Sequence, residues 1–252
     1  MPFRGKKVLL TGGSGGLGSL IAERLVGRAA DVTVLDRVAP ATPGVKFLKG
    51  DLSTPEGLEA VAAKVAAEPW DVLINLAGVQ YFGPFEAQSP DNLLATYMIN
   101  LVAPARLAQA ALPAMKARRT GRIVNIGSIF ASINFAHFVS YSSSKAGLKA
   151  LSQALRRELT GTGVGVTYIA PRAVRTALNS PQVLKYAELT AMAMDEPHRV
   201  AGLIVDAIRA EKSDVYLGFP EALFVRLNAL APGLIDQALR AKDIKARALF
   251  LS

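Results

Sequence analysis

The chain has no cysteine among its 252 residues, which rules out disulfides and thiolate metal sites and suits a reducing compartment. No uninterrupted apolar stretch reaches the roughly 20 residues that a membrane-spanning helix needs. The opening Met1-Pro2-Phe3-Arg4-Gly5-Lys6-Lys7 turns straight into a strand pattern without the long h-region of a secretory signal. A cytoplasmic protein is therefore expected. Histidine is scarce as well: His137 and His198 are the only two, and no metal site is read from the sequence. Nucleic-acid motifs and basic runs interleaved with aromatics are missing, so nucleic acid is not an expected partner. Internal repeats, low-complexity segments and long linkers are missing too.

What the chain has is apolar content, 51% of its residues, enough to bury one sizeable core. The segment Ala39-Pro40-Ala41-Thr42-Pro43-Gly44 is short enough for an ordinary connection between strands. The 29 Lys and Arg against 20 Asp and Glu leave a formal charge of +9. That balance can attract anionic lipid, acidic carrier proteins or phosphorylated cofactors, although scattered surface charge usually serves solvation.

Strand and helix patterns alternate along the chain, the signature of a parallel sheet covered on both faces. Strands are predicted at Val8–Thr11, Val32–Leu35, Val45–Leu48, Val72–Ile74, Arg122–Ile126, Val164–Ile169 and Asp214–Leu217. Their apolar runs lack alternation, as expected of strands buried on both sides. Leu17, Leu20, Ile21 and Leu25 recur at helical spacing, Pro55–Ala67 reads as a helix opened by proline, and Ser142–Thr160 as another. One long helical stretch is predicted from about Pro90 to Arg119, with Pro104 and Pro113 bending or interrupting it. The expected fold is α/β: a single-domain, Rossmann-type, doubly wound parallel sheet of about seven strands with helices on both faces.

Directly after the first strand, Thr11 to Gly18 read T-G-G-S-G-G-L-G. A tight turn that brings a pyrophosphate against backbone amides at a helix N-terminus needs residues without side chains, and the helix dipole favours the anion. Gly12, Gly16 and Gly18 fit T-G-x-x-x-G-x-G, while Gly13, Gly15 and Gly18 fit G-x-G-x-x-G, so the glycines leave the register open. A strand before and a helix after favour a dinucleotide site over a merely flexible turn. Asp36 closes the second strand, where a carboxylate can bond the adenosine ribose hydroxyls and repel a 2′-phosphate, which favours NAD. Arg37 follows at once and can pair with that phosphate, which makes NADP the alternative.

Tyr141 and Lys145 are four apart and share one helix face. A free phenol, with a pKa of about 10, is a poor base at neutral pH, and a nearby ammonium lowers that pKa. Such a tyrosine can take a proton from an alcohol as hydride leaves, or return it to a carbonyl. Ser128, thirteen residues before Tyr141 on a strand end, offers a hydroxyl to hold the substrate oxygen.

Together these residues resemble the short-chain dehydrogenase/reductase family over nearly all of 5–218. The matches are Thr11-Gly12, Gly16 and Gly18, Asp51 in Gly50-Asp51-Leu52, Asn75-Leu76-Ala77-Gly78 in place of the family's N-N-A-G, Asn100, Ser128, Tyr141 and Lys145. The resemblance implies that Thr11, Gly12, Ser14, Gly16, Leu17 and Gly18 bind the cofactor. It implies that Asp51, beside Leu52, contacts the adenine, and that Asn75, Ala77 and Gly78 hold the central strand beside the cofactor. Asn100 would order a water in the proton path, Lys145 would bind the nicotinamide ribose next to Tyr141, and Thr176, a few residues after Pro171, would contact the carboxamide.

Three departures from the family stand out. Arg172 follows Pro171 where the family has P-G; it either greets an anionic substrate group or points outward from a loop. The usual T-G-x-x-x-x-V-D-G-G ending is replaced by Asp214-Val215-Tyr216-Leu217-Gly218, which puts the usual tetramer in doubt. A tail, 219–252, extends the catalytic unit of 1–218. In it, Leu223, Phe224, Leu227 and Leu230 share a helical face flanked by Arg226 and Asn228. Pro232-Gly233 breaks that helix, and a second segment carries Leu234, Ile235 and Leu239. Arg240, Lys242, Lys245 and Arg247 then precede Ala248-Leu249-Phe250-Leu251. Helical apolar stripes usually pack on a core or across a dimer; peripheral contact with an anionic membrane is the alternative.

Between serine and tyrosine, Phe130, Ile133, Phe135, His137 and Phe138 form a wall suited to an apolar substrate, with His137 either orienting a substrate or, the favoured reading, sitting in a loop. Leu178 to Met194, with Leu184, Tyr186, Leu189 and Met192, is the expected lid, and His198 sits near a helix start. The expected protein interconverts a secondary alcohol and a ketone on a lipophilic small molecule, as a homodimer or higher homo-oligomer. A 3-oxoacyl carrier-protein reductase is the alternative enzyme, and a non-catalytic cofactor-sensing scaffold the alternative of another class.

Overall fold

The computed structural model describes residues 1–218 and 220–250, and the side chains of 221 and 222 are left aside. The tail's expected start at Phe219 and its last residues, Leu251 and Ser252, lie outside the described residues.

Seven parallel strands form one sheet in the order β3-β2-β1-β4-β5-β6-β7. They are β1 (Lys7–Thr11), β2 (Asp31–Asp36), β3 (Lys46–Lys49), β4 (Val72–Asn75), β5 (Gly121–Ile126), β6 (Val164–Pro171) and β7 (Asp214–Leu217). The helices of the sheet layers are α1 (Gly16–Val26), α2 (Pro55–Ala66), α3 (Pro90–Tyr97), α4 (Ala103–Ala117), α5 (Val139–Glu158), α6 (Pro181–Leu189) and α7 (Pro197–Arg209). Two more, α8 (Glu221–Leu230) and α9 (Pro232–Arg247), form the tail. The expected doubly wound α/β sheet is present.

Successive strand residues point to opposite faces, and both faces are covered. Val8 and Leu10 of β1 join Val32, Val34 and Ile74 under Ile21 and Leu25 of α1 and Ile204 and Ile208 of α7. Leu9 of the same strand packs on the other side with Leu73 and Ile123, against Val61 and Val65 of α2 and Leu107 and Met115 of α4. This double burial removes any polar alternation from the strands. From β1 the chain winds outward to β2 and β3, then returns to place β4 on the other side of β1. The carboxyl ends of β1 and β4 therefore border a crevice, where ligands of such sheets bind.

The predicted helix over 90–119 is divided. α3 ends at Tyr97, a π turn spans Met98–Val102, and α4 starts at Ala103. Ala103 donates its N–H to the carbonyl of Met98, five residues back. Pro104 falls in the first turn of α4, where its missing N–H costs little, while Pro113 sits inside α4 without ending it. Helix α5 begins at Val139, three residues before the predicted Ser142, so Tyr141 lies in its first turn.

The tail packs differently from its apolar stripe. Val225 of α8 and Ile235 and Ala246 of α9 turn inward, and the Asn228 amide donates to the Ser132 carbonyl at 2.7 Å. Leu223, Phe224, Leu227 and Leu230, the residues predicted to share a packing face, are all exposed.

Candidate active site

Three helices open with a hydroxyl cap. Thr54 accepts from Gly57 N–H ahead of α2, Ser89 from Asn92 ahead of α3 and Ser180 from Val183 ahead of α6, each followed by proline. Helix α1 has no such device. Its N-cap is Gly15, with no side-chain bond and no acidic residue in the first turn. Its first N–H groups and positive dipole end are thus presented to the crevice, as an anion site requires. Gly12 has φ +71°, and a Cβ there would stand 2.8 Å from the Ala77 Cα. A Cβ on Gly18 would collide with the Gly12 carbonyl. The loop therefore needs glycine for its own closure as well as for close approach of a ligand.

A cleft of about 600 Å³ runs along this edge. Its walls hold Ser14, Gly16, Leu17, Asp36, Arg37, Asp51 and Leu52 at one end. Ala77, Gly78, Ser128, Tyr141, Lys145, Pro171 and Thr176 line the rest. Nearly all the cofactor-binding and catalytic residues expected from the sequence are thus gathered in one place. These residues fit a dinucleotide: an uncapped helix end for the diphosphate, and carboxylates at Asp36 and Asp51 for the polar adenosine end.

Thr11, Asn75 and Asn100 stand behind the walls. The Thr11 hydroxyl accepts from the N–H groups of Leu76 and Ala77, both at 3.0 Å. The Asn75 amide donates to Asn125 Oδ1 at 2.8 Å, and Asn125 donates in turn to Ser152 Oγ at 2.9 Å. Asn100, in the π turn and fully buried, clamps one residue of the floor: its Oδ1 accepts from Val79 N–H and its Nδ2 donates to Val79 C=O, each at 2.9 Å. Its amide also donates to Ser144 Oγ at 3.0 Å. A π turn inside a helix often marks a functional position.

Asp36 is held toward the glycine loop, its Oδ2 accepting from Ser14 N–H at 3.1 Å and its Oδ1 from Arg37 N–H at 2.7 Å. Asp51 accepts from both the hydroxyl and the N–H of Ser53, and these bonds, with a smaller contribution from the Arg37 cation, hold its carboxyl below the usual range.

At the other end, Ser128 follows β5, and its Oγ accepts from Phe130 N–H at 3.1 Å. Lys145 is buried, with Nζ donating to the Ile126 carbonyl at 3.0 Å and lying 5.9 Å from the Tyr141 ring centre. Burial pushes its ammonium down to about 8. Burial also pushes the Tyr141 phenol up, against a smaller lowering by its hydrogen bond with Ser128. In this geometry desolvation outweighs the depression expected from the neighbouring ammonium.

The apolar wall is present. Phe130 packs on Phe135, Phe138 and the Tyr141 ring, and Phe138 on Phe82 and Tyr186. Val183 and Ala187 of α6, with Met192 and Met194, line the facing side of the cleft, where the lid was expected. His137, at φ +66°, stacks with Phe250 of the tail, 4.7 Å between ring centres. His198 lies in the first turn of α7, its carbonyl accepting from Arg24. Arg172 lines the cleft and grips Asp195 with two bonds of 2.8 Å; it is neither a plain outward loop residue nor a cation displayed to substrate alone. Asp195 and Gln80, whose amide donates to the Leu178 carbonyl at 2.9 Å, carry no sequence signal. Both act through contacts that only the folded chain brings together.

Comparison with known proteins agrees with this geometry. The family model for short chain dehydrogenase matches residues 6–187. The chain is 35% identical over 256 residues to the ketoacyl reductase HetN of a Nostoc species, covering 94% of this chain and 88% of that one. It is 33% identical over 189 residues to the 3-oxoacyl-(acyl-carrier-protein) reductase FabG of Salmonella typhimurium, covering 70% of this chain and 76% of that one. A short-chain dehydrogenase from Sphingobium yanoikuyae, solved in complex with NADPH, superposes with a TM-score of 0.77 at 26% identity, covering 92% of this chain and 95% of that one.

Proposed function

Because this chain belongs to the short-chain dehydrogenase/reductase family of NAD(P)-dependent enzymes acting on CH–OH groups, we propose that it interconverts a secondary alcohol and a ketone on a lipophilic substrate. One observation carries the reading: Ser128, Tyr141 and Lys145 line a single cleft with the uncapped end of α1, beside a wall of Phe130 and Phe138. A bound nicotinamide cofactor supplies or accepts the hydride.

The chain's own residues manage the proton. Ser128 Oγ holds the substrate oxygen, and the Tyr141 hydroxyl gives that oxygen its proton or takes it away. Burial raises the Tyr141 phenol, against a smaller lowering by Ser128. Lys145 anchors the nicotinamide ribose and connects Tyr141 to the proton path. Asn100 fixes Val79, and Pro104, having no N–H, cannot donate to the Asn100 carbonyl four residues back; that carbonyl serves the water of the relay. Thr176 meets the carboxamide.

NAD is the proposed cofactor, on the Asp36 carboxylate that the glycine loop holds in place, with Asp51 at the adenine. Arg37 and the NADPH of the Sphingobium neighbour support NADP as the competing choice. Residues 1–218 are proposed as the catalytic unit, with 219–252 as its extension, since α8 and α9 pack on the aromatic end of the site. A homodimer or higher assembly is proposed through the exposed Leu94, Val102 and Val139 of α3, the π turn and α5, and light scattering in solution tests it.

The test of the main reading is consumption of reduced cofactor with ketones of increasing alkyl length. Rates that rise with chain length are expected; no turnover of any ketone with either cofactor overturns it. A second reading, reduction of a 3-oxoacyl group on an acidic carrier protein, is supported by the two reductases named above and by the +9 charge. It predicts a 3-oxoacyl carrier-protein substrate far better than the same acyl group on a small thiol, with the advantage lost at high salt.

A further inference from the structure

The tail helices are two-sided. Inward, Val225, Ile235 and Ala246 join Phe82, Phe138 and Tyr186 at the aromatic end of the cleft. Outward, Leu223, Phe224, Leu227 and Leu230 of α8 and Leu234 and Ile244 of α9 face solvent, Leu230 at 86% exposure. Helical spacing sets Leu223, Leu227 and Leu230 within about a quarter turn of one another. Single exposed leucines need no explanation, but a cluster of this kind marks an interaction site. The same two helices carry Arg226, Arg240, Lys242, Lys245 and Arg247, all exposed. Over 221–247 the acidic residues are Glu221, Asp236 and Asp243, and Asp243 is partly buried.

We propose that this outer face docks on an anionic lipid surface, with α8 and α9 lying in the plane of the interface. The leucines and Phe224 enter the acyl boundary while the cations meet the headgroups. Among the described residues no helix is long and apolar enough to cross a membrane, so the contact is peripheral. The competing occupant is a second copy. A two-fold dimer through this face sets a basic surface against its own equivalent, and such like-charge contact costs affinity. Interface cores are also depleted in lysine. Anionic lipid reverses the sign of that interaction. Since the inner side of the same helices covers the aromatic end of the cleft, docking puts that end beside the bilayer. Docking would then hold the apolar wall of the site near the acyl region that a lipophilic substrate occupies. That consequence rests on the proposed substrate class; the docking does not.

Flotation of the full-length protein with phosphatidylcholine vesicles, with and without phosphatidylglycerol, tests the proposal without any turnover. Binding to the anionic vesicles only, weakened by salt, is expected. The double variants Leu227→Glu/Leu230→Glu and Lys242→Glu/Lys245→Glu should each lose binding about tenfold or more. Their circular dichroism, cofactor titration and rate with a short soluble ketone should match the wild type, which separates a failed docking from a failed catalytic reading. A wild-type protein that stays off anionic vesicles overturns the proposal, and so do variants that bind as well as the parent. Conversion of a dimer to a monomer by Leu227→Glu/Leu230→Glu, with no vesicle binding by the parent, overturns it in favour of the second copy.

Discussion

The Arg172 guanidinium holds the Asp195 carboxylate through two parallel bonds of 2.8 Å, closing the base of the loop that carries α6 over the cleft. Backbone bonds reinforce the junction, from Asp195 N–H to the Ala173 carbonyl and from Arg175 N–H to the Asp195 carbonyl. Replacing Arg172 by Ala removes a fork that is partly screened by solvent, at an expected cost of about 1–2 kcal/mol. A thermal melt should show a fall of a few degrees. The KM for substrate should rise more than kcat falls, because the lid is loosened while the reacting groups stay in place.

Tyr141→Phe removes the hydroxyl that carries the proton and little else. Turnover is expected to fall by about 100-fold or more. Cofactor affinity, read by fluorescence titration, should stay within about twofold of the parent. Full turnover in this variant would sink the proposed mechanism.

Lys145 gives the fold a pH signature. Its folded-state value is lowered from 10.5 to about 8 by burial, so between these values the unfolded chain binds more protons than the folded one. Stability therefore rises with pH across that window, and the penalty of the buried cation is fully present below about 8. Tyr141, raised by burial, acts oppositely above its ordinary value of about 10, so the clean range is pH 8 to 10. Melts of the wild type against Lys145→Met over that range should show the parent gaining on the variant as pH increases. Parallel curves would mean that the lysine is not desolvated as its burial indicates.

Asp36 and Arg37 are adjacent, with opposite consequences for the adenosine end of the site. Titration with NADH and NADPH should show NADH binding more tightly to the wild type. Asp36→Ser should move the ratio toward NADPH by about tenfold, the effect of relieving one charge repulsion. Tighter NADPH binding to the parent would show Arg37 to be the deciding residue.

Much of this was legible before any coordinates. The strands read clearly because layers on both sides keep Val8, Leu9 and Leu10 all apolar. The glycine loop read clearly because its backbone admits almost nothing else at Gly12 and Gly18. The π turn was legible in part: Pro104, which cannot donate to the Asn100 carbonyl, marked the interruption, while Pro113 is carried inside α4 and a single extra residue in the turn around Asn100 leaves no mark in composition. The tail was half legible. Periodicity revealed an apolar face on α8, but not that Val225 and Asn228 would turn the opposite side inward. The Arg172–Asp195 pair joins residues 23 apart in sequence, and no local pattern announces it.

Helix α1 enters the crevice with its leading amides unanswered by any side chain of its own. A dinucleotide that took those amides would stabilise the native state by linkage, so stability would follow the concentration of free cofactor. A dinucleotide present at 100 times its dissociation constant adds about 2.7 kcal/mol to the native state. Depletion of that pool would remove this stabilisation at the same time as it halted the proposed reaction. Stability and activity would then decline together, through the same unfinished helix end.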